Sequence, residues 1–197
     1  MRFLENHDEP RIASRMPPDA ERAAAVTVAT LPGATPWHEG QLEGRRVRPP
    51  VFLARRPDEP LDASLAGWYR RLLAAVAGQR VRAGGWRLLE ASGWPDNQSF
   101  RNLIAWSWAG YRAGDGGGDR HLVVVNLSGQ PAQGRVPLGW ADLRGHGWRL
   151  TDLLGDAVFE RDGDELADPG LFVDLAPWQF HLLALRAPRR GRLSAGG

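Results

Sequence analysis

Met1-Arg-Phe-Leu-Glu-Asn-His-Asp-Glu-Pro-Arg-Ile-Ala-Ser-Arg15 opens the chain and holds its densest cluster of reactive side chains. A short apolar run, Phe3-Leu4, leads directly into Glu5, Asn6, His7, Asp8 and Glu9, and Pro10 bars a simple continuation of regular structure. The pattern predicts the end of a buried strand that delivers carboxylate, imidazole and amide groups into a loop. In α/β proteins, ligands are met at strand ends of this kind.

Downstream the pattern turns helical. Pro17-Pro18-Asp19 is a helix-start signal, with Asp19 expected as the N-cap, Glu21 in the first turn and the helix running from Ala20 to about Thr30. Residues 45–61 are rich in Pro and Arg and have no period. A loop of that length shapes a substrate entrance, or else is a solvated connection held by Arg beside Asp58 and Glu59. From Asp62, the expected cap, the residues Leu65, Trp68, Tyr69, Leu72, Leu73, Val76 and Ala77 recur at helical spacing and form one apolar face, which Gly78 ends.

After Gly84-Gly85 the period becomes two. Eight short runs follow: 86–90, 103–112, 121–127, 134–138, 148–154, 158–161, 171–175 and 179–186. They are separated by turn sequences such as Asp115-Gly-Gly-Gly-Asp119 and Asp162-Gly163-Asp164. Short strands at such spacing predict an antiparallel β-sandwich.

Composition narrows the function classes. The chain has no Cys, so disulfides, a thiolate nucleophile and Cys-ligated metals are excluded. All 25 basic residues are Arg, the formal net charge is only +2, and the basic clusters at 45–48 and 189–192 do not interleave with aromatic residues as a nucleic-acid groove would. No apolar run approaches the ~20 residues of a membrane span, and the amino terminus is not a signal peptide. The expectation is a cytoplasmic protein with no nucleic-acid or membrane partner, no cofactor and no metal. The glycine-rich 114–119 stretch lacks the Lys-Ser/Thr of a phosphate cradle, and Asp162-Gly-Asp lacks the spaced oxygen ligands of a calcium loop. Trp106 and Trp108 alternate within a strand, where packing explains them better than sugar stacking.

The run from Phe3 to Asp8, extended by Pro10, Arg11, Ser14 and Arg15, resembles the last conserved region of the α-amylase family of glycoside hydrolases and transglycosidases. In that family the region ends the seventh strand of a (β/α)8 barrel. The resemblance implies that His7 hydrogen-bonds the sugar at the cleavage site and that Asp8 is the third catalytic carboxylate, a transition-state stabiliser. Asn6 and Arg11 would brace them, Asn6 through backbone bonds and Arg11 through its charge beside Asp8. Residues 34–44 are similar to the eighth strand and its exit loop, with His38 and Glu39 standing where many members carry two tyrosines, as further substrate-binding candidates. Val123-Val-Val-Asn126-Leu-Ser and Leu171-Phe-Val-Asp-Leu-Ala-Pro-Trp-Gln-Phe resemble strands of the family's closing β domain.

The implied fold class is an α/β fragment, the last two βα units of the barrel (1–80), followed by an all-β antiparallel sandwich (81–188) and a disordered tail (189–197). A full barrel takes about 250 residues, so the resemblance implies the carboxyl-terminal part of a larger retaining enzyme acting on an oligosaccharide or α-glucan. Its nucleophile and acid/base, two carboxyl groups about 5–5.5 Å apart, would lie upstream or on a partner chain that completes the barrel. The helix after Asp62 would then lack part of its packing surface and leave a large exposed apolar face.

The chemistry of the His-Asp pair has its own rationale. Positive charge grows on the sugar ring in the transition state, and a fixed carboxylate with a neutral imidazole binds the neighbouring hydroxyls more tightly there than in the ground state. Two other readings stand beside this one. A β-sandwich with a helical appendage suits a non-catalytic glycan-binding or supporting module. Asn-His-Asp also occurs in metallophosphoesterases, but that chemistry wants an upstream Asp-x-His and later His ligands, of which Gly145-His146-Gly147 is the only echo.

Overall fold

A computed structural model describes residues 1–50, 52, 55–110 and 119–187 of the chain. The expected glycine-rich hairpin tip up to residue 118, residues 111–112 of the second run and the tail from 189 lie outside the described residues. The elements are helices α1 (Ile12–Arg15), α2 (Pro18–Thr30), α3 (Ala63–Gly78) and α4 (Gly163–Ala167), and strands β1 (Gly85–Leu89), β2 (Leu103–Ala109), β3 (Arg120–Asn126), β4 (Ala132–Val136), β5 (Gly147–Asp152), β6 (Val158–Asp162), β7 (Leu171–Leu175) and β8 (Phe180–Arg186). All eight period-two runs form strands.

Six strands make one sheet in the order β1-β2-β3-β8-β5-β6, and β4 pairs with β7 in a second sheet. Every pairing is antiparallel. One face of the large sheet packs against β4 and β7, joining Leu122, Val124, Leu183 and Leu185 to Val136, Leu171, Val173 and Leu175. The opposite face carries Trp106, Trp108, Val123, Val125 and Leu182, and these pack against α2 and α3. Burial on both faces explains the unbroken Leu122-Val-Val-Val125 run at the sheet centre. On β4 and β7, which form a two-stranded sheet with one covered face, burial alternates residue by residue.

The face of α3 corrects one expectation. Leu65, Trp68, Tyr69 and Leu72 are buried rather than exposed, because α2 and the large sheet cover them. Trp108 adds a polar tie, its indole Nε1 donating to Thr30 O at 2.7 Å at the end of α2. The start of α2 is a second correction. The helix begins at Pro18, with Pro17 at the capping position and no side-chain cap; Asp19 sits in the first turn and pairs with Arg22 at 3.3 Å. Proline at the first helical position is pre-set for helix and removes one of the N–H groups that a cap would otherwise satisfy. The expected turn at 162–164 is instead the start of α4, where Asp162 accepts from Asp164 N at 2.7 Å.

Asp62 does cap α3, its Oδ1 accepting from Leu65 N at 2.9 Å. Asp62→Ala should therefore destabilise the chain by about 1 kcal/mol. A thermal midpoint unchanged in the variant would show the cap to be redundant.

No strand forms at residues 3–4 or 34–38. The two stretches do run beside one another, joined by Arg2 N donating to Ala34 O at 2.9 Å. A single such bond is not a ladder. Residues 45–50 and 55–61 are irregular as expected, but Glu59 is held by the backbone N–H groups of Arg46 and Val47 rather than by Arg side chains.

Candidate functional site

The loop after Leu4 is organised by one buried ion pair. The Glu5 side chain is fully buried and that of Arg11 nearly so, and Arg11 Nη1 donates to Glu5 Oε1 at 2.7 Å. The other carboxylate oxygen of Glu5 accepts from Ile12 N at 2.6 Å, at the start of α1. Arg11 also reaches across the chain: Nη1 donates to Glu39 O at 2.5 Å and Nε to Val47 O at 3.3 Å. Three segments far apart in sequence, 5–12, 38–41 and 45–48, are thereby drawn to one guanidinium. Its planar fork suits that task, since a Lys ammonium offers no such fixed array of donors.

Between these anchors the chain turns tightly. Asn6 Oδ1 accepts from Asp8 N at 2.8 Å and Glu9 N at 3.0 Å, the backbone bonds expected of it. His7 and Asp8 are held outward, with side-chain exposures of 67% and 70%, and His7 Nε2 lies 3.4 Å from Asp8 Oδ2. Arg48 Nε donates to His7 O at 3.1 Å, fixing the 45–48 segment over the turn.

A cavity of about 240 Å³ opens here, lined by Asn6, His7, Arg11, His38, Glu39, Arg48, Pro49, Pro50 and Arg56. Asp8 touches His7 at its rim but does not line it. Five of the six candidate residues thus converge on one cavity, although they come from stretches some thirty residues apart. The expectation that Arg11 braces Asp8 by charge is corrected: Arg11 faces Glu5, with its Nη2 also 3.8 Å from Glu39 Oε2. Glu39 is further paired with Arg56. The cavity is smaller than the usual ligand pocket of about 300–1,000 Å³.

Behind the cavity lies a polar chain that sequence reasoning missed. Tyr69 OH donates to Glu21 Oε1 at 3.0 Å, Gln41 Nε2 donates to Tyr69 OH at 3.3 Å, and Gln41 Oε1 accepts from His38 N at 3.4 Å. Glu21, Tyr69 and Gln41 are all buried. Burial pushes the Glu21 carboxyl up to about 7; the Tyr69 hydrogen bond opposes this, and the charges of Glu5 and Asp62 add to it. Burial and the Glu21 charge also raise the Tyr69 hydroxyl. From the sequence Glu5 is legible as part of the polar cluster after Phe3-Leu4 and Glu21 as a first-turn helix residue, and neither carries a local sign of burial. Among the described residues no three His, Asp or Glu side chains converge as metal ligands would, and no described helix is long and apolar enough to cross a membrane.

No protein-family model matches the chain, and no curated protein does. Solved structures do match. A maltogenic α-amylase, AmyB from Thermotoga neapolitana, aligns with a TM-score of 0.68 at 17% identity over 93% of this chain and 40% of its own. The α-amylase of Geobacillus thermoleovorans, complexed with acarbose, aligns at 0.67 and 17% identity over 93% of this chain and 38% of its own. The chain has the fold of part of an α-amylase-family structure. A third neighbour, AmyP in complex with maltose, aligns at 0.63 and 15% identity over 99% of this chain and 41% of its own. The chain thus spans about two fifths of the length of these α-amylase structures. The antiparallel sheets and few helices described above are the portion of the α-amylase fold that it carries.

Proposed function

We propose that the chain is the carboxyl-terminal part of an α-amylase-type retaining glycosidase or transglycosidase acting on α-glucosidic bonds. In this reading residues 1–80 correspond to the last two βα units of a (β/α)8 barrel, with the stretches at 3–4 and 34–38 in the places of its strands, and residues 81–188 form its closing β domain. The observation that carries it is the convergence of Asn6, His7, His38 and Glu39 on one cavity around the buried Arg11. The likeness in fold to α-amylases, and the motif itself, support it. One of the neighbours is complexed with maltose and another structure of the same protein, an E221Q variant, with maltotriose; an α-linked oligosaccharide is the substrate class proposed for the parent of this chain.

The roles follow from the chemistry. Asp8, exposed at the cavity rim, would accept hydrogen bonds from ring hydroxyls whose acidity rises as charge develops on the sugar, and His7 would donate or accept beside it. Arg11 and Asn6 are positioning residues, the first tying three segments together and the second setting the turn. Bond-making would fall to two carboxyl groups supplied from upstream.

Purified 1–197 should release no sugar from maltoheptaose above background. The same chain joined to an upstream barrel portion should cleave it with retention of anomeric configuration, and there Asp8→Asn should lower kcat more than it raises KM. Robust turnover by 1–197 alone, or no α-glucan cleavage by the longer enzyme, would overturn the reading.

A further inference from the structure

The basic run Arg45-Arg46-Val47-Arg48 has no part in the roles given to His7 and Asp8, yet the fold brings its last residue to their cavity. Of the residues that line the cavity, three are arginines, Arg11, Arg48 and Arg56, and one is a carboxylate, Glu39. We propose that the cavity takes an anionic sugar, one that bears an oxyanion such as a phosphate monoester or a uronate carboxylate, and that Arg48 receives that group. The proposal rests on the reading of this cavity as a sugar site, and it narrows the α-linked oligosaccharide proposed above to one that carries negative charge.

Two of the three guanidiniums are already matched. Arg11 is paired with Glu5 behind the cavity at 2.7 Å, and Arg56 with Glu39 in its wall. Asp8 is turned to the His7 ring at the rim, its Oδ2 3.4 Å from Nε2. Arg48 is different. Among the described residues its side chain makes one hydrogen bond, from Nε to His7 O at 3.1 Å, and lies within ion-pair distance of no carboxylate. That bond fixes the guanidinium against the backbone of the residue that faces the sugar in this reading, and it leaves the two Nη groups for an acceptor. A guanidinium presents parallel N–H groups to a carboxylate or phosphate, and the charge makes such bonds roughly twice as strong as neutral ones. A sugar hydroxyl supplies neither the second oxygen nor the charge. Pro49 and Pro50 follow directly in the lining. Pro49 biases Arg48 to extended backbone, so less freedom is lost when a ligand arrives.

A second member of the run adds to the same field. Arg45 packs its Cγ and Cβ against Gly40, 2.8 and 3.2 Å from the position a Cβ would take there, and Arg11 Nη2 approaches the same point to 3.2 Å. The Nε and Nη1 of Arg45 are buried and have no partner among the described residues. Leaving such donors unmet is costly, and a guanidinium does not shed its proton to escape the cost. The positive charge is therefore permanent, and it is held beside Arg11 and Gly40, next to Glu39 in the wall. Charge of one sign around a concave, low-dielectric surface focuses the field and draws in the opposite sign. This local excess does not reflect the chain as a whole, whose formal net charge is +2. A site for hydroxyls alone gains nothing from it.

The test is an amide-shift titration by NMR of the whole 197-residue chain with glucose 6-phosphate, glucuronate, glucose and inorganic phosphate, at low and at physiological salt. At least one of the two anionic sugars should bind about tenfold more tightly than glucose, with shifts centred on Asn6, His7 and His38. Which of them does so tells phosphate from carboxylate. Arg48→Gln, at an exposed position, should abolish the preference and leave glucose binding unchanged; Arg48→Lys should restore part of it, and salt should reduce it. Glucose binding as tightly as both anionic sugars would overturn the proposal and leave the proposed function standing. Inorganic phosphate binding as tightly as glucose 6-phosphate would overturn it by revealing an anion site that does not recognise the sugar. A preference that survives in Arg48→Gln would overturn the assignment to Arg48, and failure of all four ligands to move these amides would overturn the proposal together with the reading of the cavity as a sugar site.

Discussion

Arg11→Ala should destabilise the segment 5–12 by about 3–5 kcal/mol, the cost of leaving one partner of a buried ion pair uncompensated. The Glu5 carboxylate would keep only the Ile12 N–H, and the carbonyls of Glu39 and Val47 would lose their donor. Hydrogen exchange at the Ile12 amide reads this directly, since that N–H is protected by Glu5 and should exchange orders of magnitude faster in the variant. Arg11→Lys should recover little, because one ammonium does not span the three acceptors. Glu5→Leu with Arg11→Met should cost less than the two single changes added together, since no buried charge is then left alone. An Ile12 amide equally protected in parent and Arg11→Ala would show that the pair does not hold the loop. Under the proposed function, where His7 and Asp8 face the sugar, the same variant should lower activity of the longer enzyme without touching either residue.

How far the sequence reveals the molecule differs between its halves, and the reason is physical. The sheets are legible because each strand reports its own surroundings. Residues 132–136 alternate because β4 has one covered face, while 122–125 are uniformly apolar because β3 has two. Helix α3 is equally plain from its spacing, and Asp62 marks its start. The amino-terminal stretch is legible as chemistry but not as secondary structure. Phe3-Leu4 reads as a buried strand end, yet a parallel strand forms only with a ladder on its flank, and here one backbone bond links residues 2 and 34. The covered face of α3 could not be foreseen for the opposite reason. Its apolar stripe says that something covers it, and only the fold reveals that α2 and the far side of the β sheet do so. The site residues follow the same division. Asn6, His7 and Asp8 stand together in sequence, but Glu5, whose partner is six residues away beyond a proline, carries no local signature of burial. Glu21 and Gln41 depend on Tyr69, many residues downstream, for the contact that gives them meaning.

Glu21→Gln should stabilise the chain by about 3 kcal/mol at pH 8 and leave it unchanged at pH 4. The Glu21 carboxyl is raised from 4.5 to about 7 by burial. Below pH 4.5 the group is protonated in both folded and unfolded chains and contributes nothing. As pH rises from 4.5 toward 7 the unfolded chain releases its proton while the folded chain retains it, so stability falls across that window and levels off above it. A glutamine carries no charge to desolvate, and its side-chain oxygen still accepts the Tyr69 hydroxyl. The whole-chain pH profile would not isolate the effect, because His121, lowered to about 4 by burial, acts with the opposite sign. Its unfolded form binds a proton between pH 4 and 6.5 that its folded form refuses, so its contribution rises with pH. The difference between variant and parent removes that term, and urea unfolding at the two pH values measures it. A variant less stable than its parent at pH 8 would mean that the charged carboxylate is bound more tightly than its burial costs. The consequence would then reach the cavity: Glu21 bears on Tyr69, Tyr69 on Gln41 and Gln41 on the backbone of His38, so ionisation at the back of the site would be felt along the wall that holds His38 and Glu39.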